Sequence, residues 1–211
     1  MSETYTPDNL FAGNEFPALA LAGTLLAGQN LLRGSVLGAV LIAAATPAAV
    51  AGNSGNGTLA AATVSGAAKA GVYRAVCIEP GTDAGKFSVE DPDGITVGVA
   101  TVGAAFTGGG LTFTIADGST DFAAGDSFTI TVAAGSGNLK LVDKDATDGS
   151  QHAKYILAAD CNATDGNKTC AMYETGIFNS GALILAAGTT AADVKEALRS
   201  RSIFLRTVQS Y

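Results

Sequence analysis

His152 is the chain's one histidine, so a Ser–His–Asp or Cys–His arrangement has a single base to draw on. Its neighbours Gln151 and Ala153 give a polar loop context, and His152 reads as a surface residue. Three cysteines, Cys77, Cys161 and Cys170, are an odd number without a Cys-x-x-Cys pair, so no zinc site or disulfide framework is spelled out. Two readings stand for them: free, buried thiols throughout, or a Cys161–Cys170 bridge if the turn-rich Asn162–Thr169 segment brings their Cα atoms within about 7 Å. The acidic runs Glu90-Asp91-Pro92-Asp93-Gly94 and Asp143-Lys144-Asp145-Ala146-Thr147-Asp148-Gly149 invite a calcium reading. In the second run, however, Asp148 occupies the place of the loop glycine and no Glu stands at the twelfth position. Asp and Gly in turns explain both runs, and no metal is expected. Gly103–Gly110 lacks a Gly-Lys-Ser/Thr ending and a following helix, which removes a phosphate cradle. No acid, base and nucleophile set assembles, so neither catalysis nor a cofactor is expected.

The elements that would position any site are built from small residues. The 211 residues are 47% hydrophobic and 15% charged, with 27 Gly and no Trp. Much of the apolar content is therefore Ala and Val, which suits short strands and tight turns. A chain of this length can bury roughly 70% of its unfolded surface without staples. Acidic residues outnumber basic ones 19 to 12, for a net charge of -7. That balance lacks the basic footprint of a nucleic-acid binder and excludes DNA and RNA as direct partners. The apolar run Ala18–Ile42 is interrupted by Gln29, Asn30 and Arg33 before it reaches the ~20 residues a membrane span needs. Glu3, Asp8 and Glu15 precede it, with no Lys or Arg before Arg33, the wrong flank for an export signal. The chain is expected to be soluble, with no membrane partner, and made without export.

Met1–Pro17 has neither helical nor strand periodicity and reads as an N-terminal arm, flexible in the free protein. Tyr5, Pro7, Leu10, Phe11 and Phe16 are more apolar than disorder alone requires. Either they order on a partner or they fold back on the chain's own core, and the sequence leaves both open. Leu31–Ile42 reads as a strand bent at Gly34 and Gly38, and Gly52–Gly57 as a linker. Strands are expected at Tyr73–Ile78, Lys86–Glu90, Thr96–Val102, Leu111–Ala116 and Ser127–Val132. Strict alternation puts Leu111, Phe113 and Ile115, then Phe128, Ile130 and Val132, on single faces that share one core layer. Evenly spaced short strands with Gly and Asp turns argue for a small sandwich or a partly open barrel. After a second linker signal at Gly135-Ser136-Gly137 come strands at Leu139–Val142, Tyr155–Ala159 and Thr169–Glu174. Thr190, with Asp193 three residues on, is a variant capping box that opens a helix over Ala191–Arg199. Ile203–Leu205 reads as a closing strand.

Four segments carry a family resemblance: Arg33-Gly34-Ser35-Val36-Leu37-Gly38, Asp148-Gly149-Ser150 before Tyr155–Ala159, Thr175-Gly176-Ile177-Phe178-Asn179, and Arg201–Leu205. In this order they resemble the head decoration proteins of tailed bacteriophages, of the lambda type. The resemblance covers most of residues 19–56 and 135–211. It implies a mainly β fold with one C-terminal helix, an α+β, β-tulip-like decoration core, formed by residues 19–56 and 135–211 behind an arm of residues 1–18. Residues 57–134 are then an inserted all-β domain. The function implied is that of a capsid cement protein: a homotrimer on the outer surface of the virion head, bound to the major capsid protein and stabilising the expanded shell. Tyr5, Pro7, Leu10, Phe11 and Phe16 become the capsid-binding arm, adding as a strand to the capsid protein. The alternative is a surface or secreted β-domain binding glycans or host surfaces, which the Thr-rich insert allows and the missing Trp and export signal disfavour.

Overall fold

The computed structural model describes residues 9–208. Strands β1 (Ala20–Leu25), β2 (Gln29–Leu31), β3 (Val36–Ala39) and β4 (Ile42–Ala49) come first. They are followed by β5 (Ala62–Val64), β6 (Gly71–Gly81), β7 (Ala84–Glu90), β8 (Thr96–Thr101), β9 (Ala105–Gly108), β10 (Leu111–Thr114) and β11 (Ser127–Ala134). The remaining strands are β12 (Leu139–Leu141), β13 (Ala153–Leu157), β14 (Cys161–Ala163), β15 (Lys168–Tyr173), β16 (Gly176–Asn179) and β17 (Ile203–Arg206). Between the last two lies the one α-helix among the described residues, α1 (Ala191–Arg199). The fold is mainly β with a single C-terminal helix, as the sequence implies. No helix among the described residues is long and apolar enough to cross a membrane.

The chain divides into two compact units, one made of the residues up to Val40 and from Gly137 onward, the other of Leu41–Ser136. This moves the boundary expected at residues 56 and 57. β4 pairs antiparallel with β11, Phe128 opposite Ala49 and Thr131 opposite Thr46, so Leu41–Asn56 belongs to the second unit. Pro47 sits in β4 because β4 is the edge of its sheet, where a missing N–H leaves no ladder bond unmade. Gly52–Gly57 is likewise not a linker. Asp126, 5% exposed, accepts hydrogen bonds from the N–H groups of Ser54 at 2.8 Å, Gly55 at 2.8 Å and Ala123 at 2.9 Å, which pins the glycine-rich loop inside this unit.

In the first unit, five strands close into a barrel in the order β1-β12-β3-β13-β15. Only the β1–β12 pair is parallel. The expected single strand Leu31–Ile42 is in fact three, because Gly34, at φ +90°, turns the chain before β3 and the run leaves the barrel after Val40. β3 is buried along its whole length, so its side chains cannot alternate in and out. Gly38 faces the backbone carbonyl of Ser150, which a methyl group at that position would overlap. Leu25, Leu37, Leu157 and Met172 fill one part of the core; Val36, Ile156, Phe178, Val194 and Leu198 fill another. Burying each such side chain is worth roughly 1.5–3 kcal/mol.

The second unit has a five-stranded sheet, β4-β11-β6-β7-β8, and a three-stranded sheet, β5-β10-β9. β10 and β11 lie in different sheets, yet Leu111, Phe113, Phe128, Ile130 and Val132 all enter one core cluster, together with Ile115 beyond β10. Phe122, from an irregular segment, stands edge-on to Phe87 at 5.0 Å and to Phe128 at 5.8 Å. Tyr73 is fully buried because its hydroxyl donates to the Gly109 carbonyl at 2.8 Å and accepts from the Lys69 N–H at 2.8 Å.

Candidate functional site

The arm residues lie at the N-terminus, and the structure shows what the described part of that segment rests on. Leu10 and Phe11 are large apolar residues followed by Ala12 and Gly13, a stretch with no partner of its own in sequence. It finds one in β16. Phe11 bridges Phe178 in antiparallel fashion; the Ala12 N–H donates to the Ile177 carbonyl at 3.0 Å, and the Asn179 N–H donates to the Leu10 carbonyl at 2.8 Å. The segment therefore lies beside the parallel β16–β17 pair through a single bridged position from the same chain.

Side chains fix the same seat. Leu10, 3% exposed, enters the core with Phe178, Leu198 and Ile203. Phe11 stacks on Phe178 at 5.2 Å and meets Tyr173 edge-on at 5.3 Å, while the Arg33 guanidinium stands 5.7 Å from its ring centre. Such aromatic pairs add about 0.5–1.5 kcal/mol each beyond the area they bury. Polar contacts continue the clamp. The Asn179 amide donates to the Asn9 carbonyl at 3.1 Å, the Thr175 hydroxyl donates to the Pro17 carbonyl at 2.8 Å, and the same hydroxyl accepts the Leu19 N–H at 3.1 Å. Further along, Phe16 meets Phe204 edge-on at 5.6 Å, and Glu15 pairs with Arg206 at 2.9 Å.

Of the five residues read as a capsid-binding arm, Leu10, Phe11 and Phe16 thus fold back on their own unit, the second of the two readings the sequence left open. For these three, the flexible free arm gives way to a segment seated on its own unit. Tyr5 and Pro7 lie outside the described residues. Thr175, Phe178 and Asn179, which hold the segment, stand more than 150 residues away in sequence, and nothing local in the arm points to them.

The other sequence candidates are occupied as structural groups. Asp91 accepts the N–H groups of Asp93 at 2.9 Å and Ile95 at 3.0 Å and pairs with Lys69 at 2.6 Å. Lys69 first, then these N–H bonds, hold the Asp91 carboxyl below its ordinary range. Asp148 accepts the N–H of Ser150 at 3.0 Å and its hydroxyl at 2.6 Å, and pairs with Lys140 at 2.8 Å. Both acidic runs are turns. His152 is exposed in its loop. Asp83, Asp117 and Asp121 of the second unit bring one carboxylate oxygen each within 4.8 Å of one another, and Asp121 accepts the Asp83 N–H at 3.0 Å. The thiols of Cys161 and Cys170 approach to 2.7 Å.

Comparison with known proteins places this architecture. No curated protein is significantly similar to the chain. Among solved structures, two crystal forms of Xanthomonas campestris FlgL align with it. The first is 22% identical with a TM-score of 0.34 over 53% of this chain and 34% of that one. The second is 21% identical with a TM-score of 0.34 over 50% and 33%. The chain thus spans about a third of the length of these proteins, and the likeness carries no argument. The model of the family described as bacteriophage lambda head decoration protein D, by contrast, matches residues 2–203. That range takes in the Arg33–Gly38 turn, the closing Thr175–Asn179 strand and the capped helix as well as the whole second unit, and on its strength the chain belongs to the lambda head decoration protein D family of phage capsid proteins.

Proposed function

We propose that the chain works as a trimer on the outer surface of a phage head, bound to the major capsid protein and stabilising the expanded shell. The match to the head decoration family over residues 2–203 supports this most, and the seated segment Leu10–Ala12 bears on how the chain would dock. The segment's main chain is held at both ends of the bridge to β16, so the described start of the chain, at Asn9 and Leu10, sits at a fixed point on a folded unit. An arm launched in this way loses less entropy on docking than one free along its whole length. With Leu10 and Phe11 spent in the chain's own core, the capsid-facing part of the arm narrows to the residues before Asn9, Tyr5 and Pro7 among them. Strand addition there would draw affinity from main-chain hydrogen bonds and specificity from alternate side chains. Three arms on one trimer would raise a weak single contact by roughly 10²–10⁴ in avidity, enough for small contacts to resist pressure from packaged DNA.

Removing Ser2–Asp8 while keeping Asn9 onward tests the arm. Binding to expanded, undecorated heads should fall by about tenfold or more, while the truncated protein keeps its thermal unfolding midpoint. Undiminished occupancy would remove the arm from the mechanism. Sedimentation of the full chain, free and after release from heads, tests the trimer; a monomer in both states would overturn it.

A further inference from the structure

We propose that Cys161 and Cys170 form an oxidisable dithiol site, which a peroxide-class oxidant closes to an intrachain disulfide while Cys77 remains a thiol. The two sulfurs lie 2.7 Å apart, closer than two thiols in ordinary contact and within reach of a bond about 2.05 Å long. The approach is set by the fold. β14 is fixed by pairing with β2, Cys161 opposite Leu31, and β15 by pairing with β1, Cys170 opposite Gly23. Between the two cysteines, the Gly28 N–H donates to the Ala163 carbonyl at 2.9 Å and the Ala27 N–H to the Asn167 side chain at 2.8 Å. The connecting segment is therefore held at its base and near its tip before any bridge forms. Cys77 sits in the core of the other unit, 2% exposed, and is itself free.

The chemistry balances with one peroxide. A thiolate of the pair attacks a peroxide oxygen, the O–O bond breaks, and the sulfur becomes a sulfenic acid as hydroxide leaves and takes up a proton. The second sulfur then attacks the sulfenic sulfur; the S–S bond forms, the S–O bond breaks, and the oxygen departs as water. Two thiols and one peroxide give one disulfide and two waters, with two electrons passing from sulfur to oxygen. Burial, then the Cys161 thiol beside it, push the Cys170 thiol up to about 11, and both cysteines are buried. Closure is therefore slow at neutral pH and speeds up as pH rises. When it happens in the life of the protein rests on the proposed function: a chain made in the reducing host cytoplasm would meet oxidant on the released virion.

The test uses purified full-length protein, reduced, freed of reductant and exposed to hydrogen peroxide, with no capsid present. Alkylation under denaturing conditions should add one adduct to the oxidised chain and three to the reduced one. Trypsin cuts after Lys168, so residues 155–168 and 169–195 should travel as one cross-linked species until reduced. The oxidised protein should melt several degrees higher, and Cys161→Ser and Cys170→Ser should each abolish that rise. Three adducts after oxidation, a bridge to Cys77, or an unchanged or lower melting point would overturn the inference. If the serine variants do not fold, the adduct count and peptide map on the unmodified chain still decide it. Because no measurement involves heads, failure here and failure of the decoration reading are separate results.

Discussion

At Asp126 one carboxylate ties a glycine-rich loop to a sheet, and its own titration reports on that tie. Burial pushes its pKa up, but hydrogen bonds from Gly55, Ala123 and Ser54 outweigh the burial and leave it below the ordinary aspartate value. A folded-state pKa below the unfolded one adds stability that is fully present above the unfolded value and is lost as pH falls through the folded one. Asp126→Asn keeps one acceptor oxygen but turns an NH2 group toward the backbone donors. It should cost about 1–3 kcal/mol at neutral pH and less at an acid pH below the depressed folded-state value, where the native carboxylate is itself protonated. Urea unfolding of both proteins at the two pH values checks this; an equal deficit at both would show that the charge is not what holds the loop. The Arg33–Gly38 segment illustrates the same dependence on single atoms. Gly34 supplies a positive φ and Gly38 supplies room for the Ser150 carbonyl, whereas the Ser35 hydroxyl between them is buried without a partner among the described residues.

Among the elements, the seated N-terminal segment is anchored through one buried side chain. Leu10→Ala would empty a core position beside Phe178 and Leu198 and should cost about 2–5 kcal/mol. Phe16→Ala, at a half-buried ring contact with Phe204, should cost clearly less. Thermal melts of the two variants give the comparison, and equal losses would mean that Leu10 is not an anchor. Which elements the sequence reveals follows from their side chains. β10 and β11 alternate large apolar residues with threonine, and the α1 cap is local, with the Asp193 carboxylate accepting the Thr190 N–H at 2.8 Å and its hydroxyl at 2.7 Å. Both are legible. β1, β5 and β14 are short or rich in small residues, so no periodicity marks them; β4 is hidden the same way, and its loss shifted the expected boundary. The arm's apolar residues were visible in the chain, but their seat was not, because a strand partner more than 150 residues distant leaves no local trace.

On the scale of the whole molecule, the second unit enters and leaves through a pair of hydrogen-bonded neighbours. The Val40 N–H donates to the Asn138 carbonyl at 2.9 Å, and the Gly137 N–H donates to the Val40 carbonyl at 2.9 Å. One step inward, Ala39 pairs with Leu139 in the β3–β12 ladder of the barrel. The barrel thus already holds the two chain ends at hairpin distance and does not rely on Leu41–Ser136 to bring them together. Because loop closure cost rises only about 0.6 kcal/mol per doubling of length, a long folded insertion at this point is cheap, and so is its removal. Replacing Leu41–Gly137 by Asn-Gly would leave a two-residue turn suited to the strand twist. The shortened chain should fold with its barrel, helix and seated N-terminal segment, as a cooperative thermal transition would show. Since the arm and its seat both lie in the retained unit, it should occupy undecorated heads as fully as the complete chain. A shortened protein that folds but no longer binds would instead assign capsid recognition to the second unit.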